Sequence, residues 1–175
     1  MTIVAAPRLA QSPYSRTSTP CPSDLVDATA FRAWVRQLIS DTGLPWRAIA
    51  RAAGVPSSVV AQLLHGVNGH QVRMIPRRYA QRLLGLTRHR LTEMATQPAP
   101  CPALRMLMWR LGLDGVSVEE MARFTTVLPH ELRTLMSGSD VWCTRLQMLR
   151  AEAACEARGI DPETLIYPSR RQWMR

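Results

Sequence analysis

The chain contains no lysine; all 22 of its Lys and Arg residues are arginine. With its many alanines and prolines, that bias points to a GC-rich genome and bears on codon usage rather than function. Aromatic residues are scarce, at 6%, and strand-like runs of Val, Ile and Tyr are few, which argues against a sheet protein. No apolar stretch approaches the roughly 20 residues of a membrane-crossing helix, so no membrane partner is expected. The four cysteines, Cys21, Cys101, Cys143 and Cys155, show no CxxC spacing. That excludes a zinc ribbon or a redox pair and leaves reduced, cytoplasmic thiols as the expectation. His65, His70 and His89 lack the tight spacing of ligand pairs, so neither a metal nor any other cofactor is expected. Acid is missing from one long window: between Gly43 and Thr92 stand eight arginines and no Asp or Glu.

What the chain does have suits packed helices. Hydrophobic residues make up 46% of it, enough for compact cores and too many for wholesale disorder. They recur at helical spacing: Leu104, Leu107, Met108 and Leu111 fall at i, i+3, i+4 and i+7, on one helix face. The expected class is therefore all-α. The net charge of +9 is unevenly shared. Residues 1–100 hold 12 arginines against four acids, a net +8, and residues 101–175 hold 10 against nine, a net +1. A polyanionic partner is implied, meeting the first half of the chain.

The sequence also repeats itself. Without gaps, 49-IARAAGVPSSVVAQLLHG-66 overlays 121-MARFTTVLPHELRTLMSG-138, with Ala50 on Ala122, Arg51 on Arg123, Val55 on Val127, Leu63 on Leu135 and Gly66 on Gly138. Similar proline brackets, 20-PCP-22 and 100-PCP-102, stand before each copy and are expected to hold extended linkers. A repeat of this kind points to two units. The predicted organisation is a disordered arm over 1–23, a first domain over 24–90, a Pro-rich linker over 91–102, a second domain over 103–160 and a tail over 161–175. Each domain is expected to be a bundle of about four helices.

In the first domain Asp27 is expected to cap a helix with Phe31, Trp34, Val35, Leu38 and Ile39 inward, ended by Gly43. Pro45 starts a second helix, Gly54 supplies a left-handed turn, and Pro56 opens a third carrying Val59, Val60, Leu63 and Leu64. Pro76 starts a fourth that stops at Gly85. In the second domain Ser117 and Glu120 form a capping box, with Val116 stapled onto Met121. Pro129 opens the next helix. Asp140 is expected to cap the last, with Trp142, Leu146, Leu149 and Ala153 inward.

The pattern Ile49-Ala50-x-x-x-Gly54-Val55-x-x-x-x-Val60-x-x-Leu63 resembles the helix-turn-helix of λ-repressor-like transcription regulators of bacteria and their phages. The resemblance covers about residues 27–90, and 72-VRMIPRRYAQRLL-84 is similar to the segment that trails the motif in proteins from GC-rich bacteria. A small Ala lets the two helices approach, Gly permits the tight turn, and the branched residues lock the crossing angle. By that resemblance the third helix lies in the major groove of double-stranded DNA, with Ser57, Ser58, Ala61, Gln62 and His65 outward. Ala61 suits a thymine methyl, Gln62 a bidentate bond to adenine, and His65 a base or a phosphate. Arg47, Arg51, Arg73, Arg77 and Arg78 flank this helix and are expected at phosphates, which position the protein without specifying sequence.

In the second copy Thr126 stands where the first has Gly54. A β-branched residue is costly at positive φ, so a reshaped turn is expected. Glu119 and Glu120 replace Arg47 and Ala48, and residues 115–138 sum to −1 against +2 for 43–66. The outward positions are His130, Arg133, Thr134 and Ser137, of which Arg133 suits guanine O6/N7. This copy is expected either to read an adjacent, unlike half-site or to mediate dimerisation or another protein contact. The implied function is a sequence-specific double-stranded DNA-binding regulator, most simply a repressor, acting at the nucleoid as a homodimer or as a monomer on an asymmetric site. A recombination accessory factor and a protein-binding adaptor are the alternatives. Nothing resembles a nucleophile–base pair, and no enzymatic activity is expected.

Overall fold

The computed structural model describes residues 24–138 and 142–166. The arm over 1–23, the Asp140 cap and the tail from residue 167 lie outside the described residues. Helices dominate, and the four strands among the described residues are two or three residues long. The first half runs β1 (Leu25–Asp27), α1 (Thr29–Thr42), α2 (Trp46–Ala52), α3 (Ser57–His65), β2 (Met74–Pro76), α4 (Arg77–Leu84) and α5 (Arg88–Thr96). The second runs β3 (Pro98–Ala99), α6 (Cys101–Leu113), α7 (Val118–Thr125), α8 (Pro129–Met136), β4 (Cys143–Thr144), α9 (Arg145–Ala157) and α10 (Pro162–Ile166). The order of elements is the same in both.

Each pair of strands forms an antiparallel ribbon, with Val26 opposite Ile75 and Ala99 opposite Cys143. The ribbon ties the residues before the first helix of a half to those before its fourth, closing the three helices between them. Strands this short leave no alternating pattern in the sequence, which is why none was expected.

Local chemistry starts and stops the helices much as the sequence suggests. Asp27 Oδ1 accepts the Thr29 amide at 2.8 Å, a bond that holds the Asp27 carboxyl below the usual carboxylate range. Gly43 ends α1 with φ 63. Val35 and Leu38 are buried, with Phe31, Trp34 and Ile39 packed beside them, and the Trp34 indole N–H donates to the Leu83 carbonyl at 3.0 Å. In the second half Leu104, Leu107, Met108 and Leu111 are fully buried. Ser117 Oγ accepts the Glu120 amide at 3.2 Å. The Glu120 carboxylate turns instead to Arg158, 2.9 Å away.

Four expectations need correction. Residues 91–96 belong to a helix and not to a linker: Thr87 caps α5 through the Arg90 amide, and Leu91 and Met94, at i and i+3, lie on the first core. In 100-PCP-102 only Pro100 is extended; Cys101 and Pro102 form the first turn of α6, where a missing amide hydrogen costs nothing. Trp142 is 85% exposed, because the helix begins after it, capped by Thr144 in a reciprocal pair with Gln147. Nor are the halves separate bundles on a string. Helix α9 packs on α2 and α5 as well as on α6 and α7, and Leu146 reaches the first core.

Thr126 departs from expectation too. Its φ of 59 matches the 64 of Gly54, so the turn keeps its left-handed geometry. The Thr126 hydroxyl donates to the Thr125 carbonyl at 2.6 Å, a local bond that offsets part of the strain. Thr126→Gly is expected to stabilise the protein by about 1 kcal/mol, a rise in Tm of roughly 3 °C. A thermal melt showing no rise would mean that the conformation is unstrained.

Candidate nucleic-acid interface

The helix, turn and helix formed by α2 and α3 are built from the apolar positions upward. Ile49 and Ala50 on α2 and Val60 and Leu63 on α3 are buried against one another. At the turn Gly54 takes its left-handed φ, and the Val55 amide donates to the Ala50 carbonyl at 2.9 Å. Burying that face leaves Ser58, Gln62 and His65 exposed at i, i+4 and i+7, one polar stripe along α3, with Ala61 half-buried at its edge. The His65 ring meets the Trp46 ring edge-on, 6.1 Å between centroids. Arg47 lies over Trp46 at 4.3 Å. The start of α2 and the end of α3 are thereby joined through one indole.

Past α3 the chain turns sharply through Gly66, Asn68 and Gly69, all at positive φ. Val67 and His70 exchange backbone hydrogen bonds of 2.8 and 3.0 Å. The loop then delivers Arg73, Arg77 and Arg78, all exposed. Arg77 and Arg78 occupy the first turn of α4, where a helix dipole disfavours cations. Arg78 also lies over Tyr79 at 4.7 Å. Among the described residues no carboxylate is within ion-pairing distance of Arg47, Arg73, Arg77 or Arg78.

Two of the expected contacts point elsewhere. Arg51 faces α9, its Nε 3.3 Å from Glu152 and its Nη1 3.8 Å from Glu163, with the side chain only 16% exposed. Ser57 donates its hydroxyl to Glu156 at 2.7 Å. The amino-terminal turn of α3 therefore abuts acids of the second half, leaving the stripe from Ser58 to His65 as the accessible part.

The second half differs at the corresponding place. His130, Arg133, Thr134 and Ser137 are exposed on α8, but Arg133 is held by Glu119 at 2.7 Å. Thr134 and Ser137 turn back to backbone carbonyls of their own helix.

Arginines that the sequence did not single out brace each half from within. Arg32 Nε donates to the Leu63 carbonyl at 2.8 Å, and its Nη2 to Val72 at 2.6 Å. Arg105 Nε donates to the Leu135 carbonyl, also at 2.8 Å, so the end of the third helix is clamped the same way in each half. Arg82 similarly reaches the Gly54 carbonyl at 2.6 Å, and Arg150 the Phe124 carbonyl at 3.4 Å. Burial pulls the Arg150 guanidinium below its ordinary pKa. These pairs sit out of step with the ungapped overlay of the two copies, which hides them from a gapless comparison.

Two buried thiols are inert. Burial, helped by a hydrogen bond with Cys101, pushes Cys143 up to about 12, and burial pushes Cys155 up to about 11, so both stay protonated. Among the described residues no group of three His, Cys, Asp or Glu gathers to hold a metal. No helix among them is long and apolar enough to cross a membrane.

No protein-family model, curated protein or solved structure matches the chain.

Proposed function

We propose that the chain is a sequence-specific double-stranded DNA-binding regulator with tandem helix-turn-helix units, in which α3 enters the major groove. The observation that carries this reading is the exposed stripe of Ser58, Gln62 and His65, joined to Arg47 through Trp46, in a half of the chain where Arg73, Arg77 and Arg78 are exposed as well. Polar side chains that can read base edges thus share this half with cations unneutralised by neighbouring acids. Because the first turn of α3 abuts α9, base contacts fall to Gln62 and His65, with Ser58 at the margin. A protein bound this way acts most simply as a repressor, by occupying its site.

The second half has a different task in this reading. The Arg133–Glu119 pair occupies its best base-reading side chain, and Glu119 and Glu120 lie where a phosphate would approach. A protein contact suits that half better than a second reading head.

Phosphate contacts are tested by salt. Arg77→Ala with Arg78→Ala is expected to weaken binding to all duplexes alike. The slope of log K against log salt should flatten by about 0.9 per lost contact, close to 2 for the pair. An unchanged slope in a titration by fluorescence anisotropy would remove both residues from the interface.

A further inference from the structure

Helix α6 is buried on one side and apolar on the other. Its inner face holds Leu104, Leu107, Met108 and Leu111, with no exposed surface. Its outer face carries Met106, Trp109 and Leu113, exposed by 43%, 63% and 61%. Their spacing of i, i+3 and i+7 gathers them into one stripe. Helix α1 holds the same place in the first half. Matching the two helices through Arg32 and Arg105, which clamp equivalent carbonyls, sets Ala33, Arg36 and Ser40 against Met106, Trp109 and Leu113. All three residues of α1 are exposed. The fold therefore accepts a polar outer face at this helix, and the apolar stripe in the second half is not demanded by packing. A contiguous exposed row of large apolar side chains marks a surface that binds something.

We propose that α6 docks on α6 of a second copy, antiparallel, across a two-fold axis between Trp109 and Arg110. The helix is self-complementary in that register. Met106 meets Leu113 of the partner subunit, and Trp109 meets Arg110 of the partner subunit, so two aliphatic and two cation–π contacts close the interface. Among the described residues no carboxylate pairs with Arg110, so lying across an indole breaks no ion pair there. At the ends Asp114, 3.8 Å from Arg158, falls opposite Arg105, which is turned to the Leu135 carbonyl, so like charges do not face each other. Three large side chains a side make a modest contact, and association in the micromolar range follows from its size. The dimer does not depend on DNA binding, although it would bring two first halves to one duplex.

Sedimentation equilibrium of the full chain, from about 1 to 100 µM, is expected to show a reversible monomer–dimer equilibrium. Trp109→Arg with Leu113→Ser installs the residues of α1 at the same places. This form should stay monomeric throughout that range, with unchanged helical circular dichroism and an undiminished Tm. A second form carrying Met106→Cys and Leu113→Cys tests the register. Those positions lie roughly 10 Å apart along one helix, too far for a disulfide within a chain. A 106–113 disulfide found by peptide mapping after oxidation is therefore intermolecular and supports the proposed pairing. A wild-type chain that is monomeric at 100 µM, or a dimer that survives the Trp109→Arg/Leu113→Ser change, overturns the proposal. So does a monomer that dimerises only when residues 167–175 are removed, because the chain's own end would then be the occupant.

Discussion

Alanine in place of Gly66 is expected to destabilise the protein by about 3 kcal/mol or more. Gly66 sits at φ 82, ψ −173, a region open almost only to glycine. Space is lacking as well: a Cβ there would stand 2.4 Å from the His70 carbonyl oxygen and 2.9 Å from its carbon. Both are backbone atoms fixed by the reciprocal Val67–His70 hydrogen bonds, so no side-chain rotation relieves the clash. The turn must open, and with it the loop that leads from α3 to Arg73 and Arg77. A loss of roughly 10 °C in Tm corresponds to this cost, and duplex binding should weaken with it. Gly54→Ala is the control. Its φ is 64 but nothing lies within 4 Å of the added Cβ, so about 1–2 kcal/mol is expected. Equal losses at the two sites, measured by urea denaturation, would show that the Gly66 clash is not the dominant effect.

Glu152→Ala is expected to be at least as damaging, by about 3–5 kcal/mol. The Glu152 carboxylate is 7% exposed and lies 3.3 Å from both Arg51 and Arg145. Arg51 Nε is buried and makes no hydrogen bond, so its alignment with Glu152 is that of an ion pair alone. Removing the carboxylate leaves a nearly buried guanidinium at the contact of α2 with α9, where the halves meet, with only the exposed Glu163 at 3.8 Å to face it. The double change Arg51→Met with Glu152→Leu should recover most of the loss, because apolar side chains of similar volume need no counter-ion. If Glu152→Ala alone melts like the wild type, the charged contact between the halves contributes nothing.

Much of the fold can be read from the sequence because burial writes itself in periodic apolar positions. The inner face of α6 and the ends marked by Gly43 and Ser117 are legible in this way. So is the helix, turn and helix at 49–66, whose Ile49, Val60 and Leu63 are buried together. Contacts between distant segments leave no such trace. Ser57 and Glu156, or Arg51 and Glu152, carry no local sign of one another, so two side chains assigned to DNA on the pattern of an isolated domain face the second half. Arg32 and Arg105 escaped notice because a one-residue difference between the copies puts them out of register. Trp142 misleads for a simpler reason: its type suggests burial, yet the cap that starts α9 is Thr144, two residues later. At Thr126 the steric rule is sound, but the rest of the turn outweighs it.

Whether α3 reads bases, as proposed, is tested most directly at Gln62. Duplexes selected from a random pool by the purified chain should share a consensus. With Gln62→Ala the same selection should relax one position, losing about 1–3 kcal/mol of discrimination there, while neighbouring positions hold. Affinity lost evenly over all sequences, or no consensus from the wild-type chain, would contradict the account.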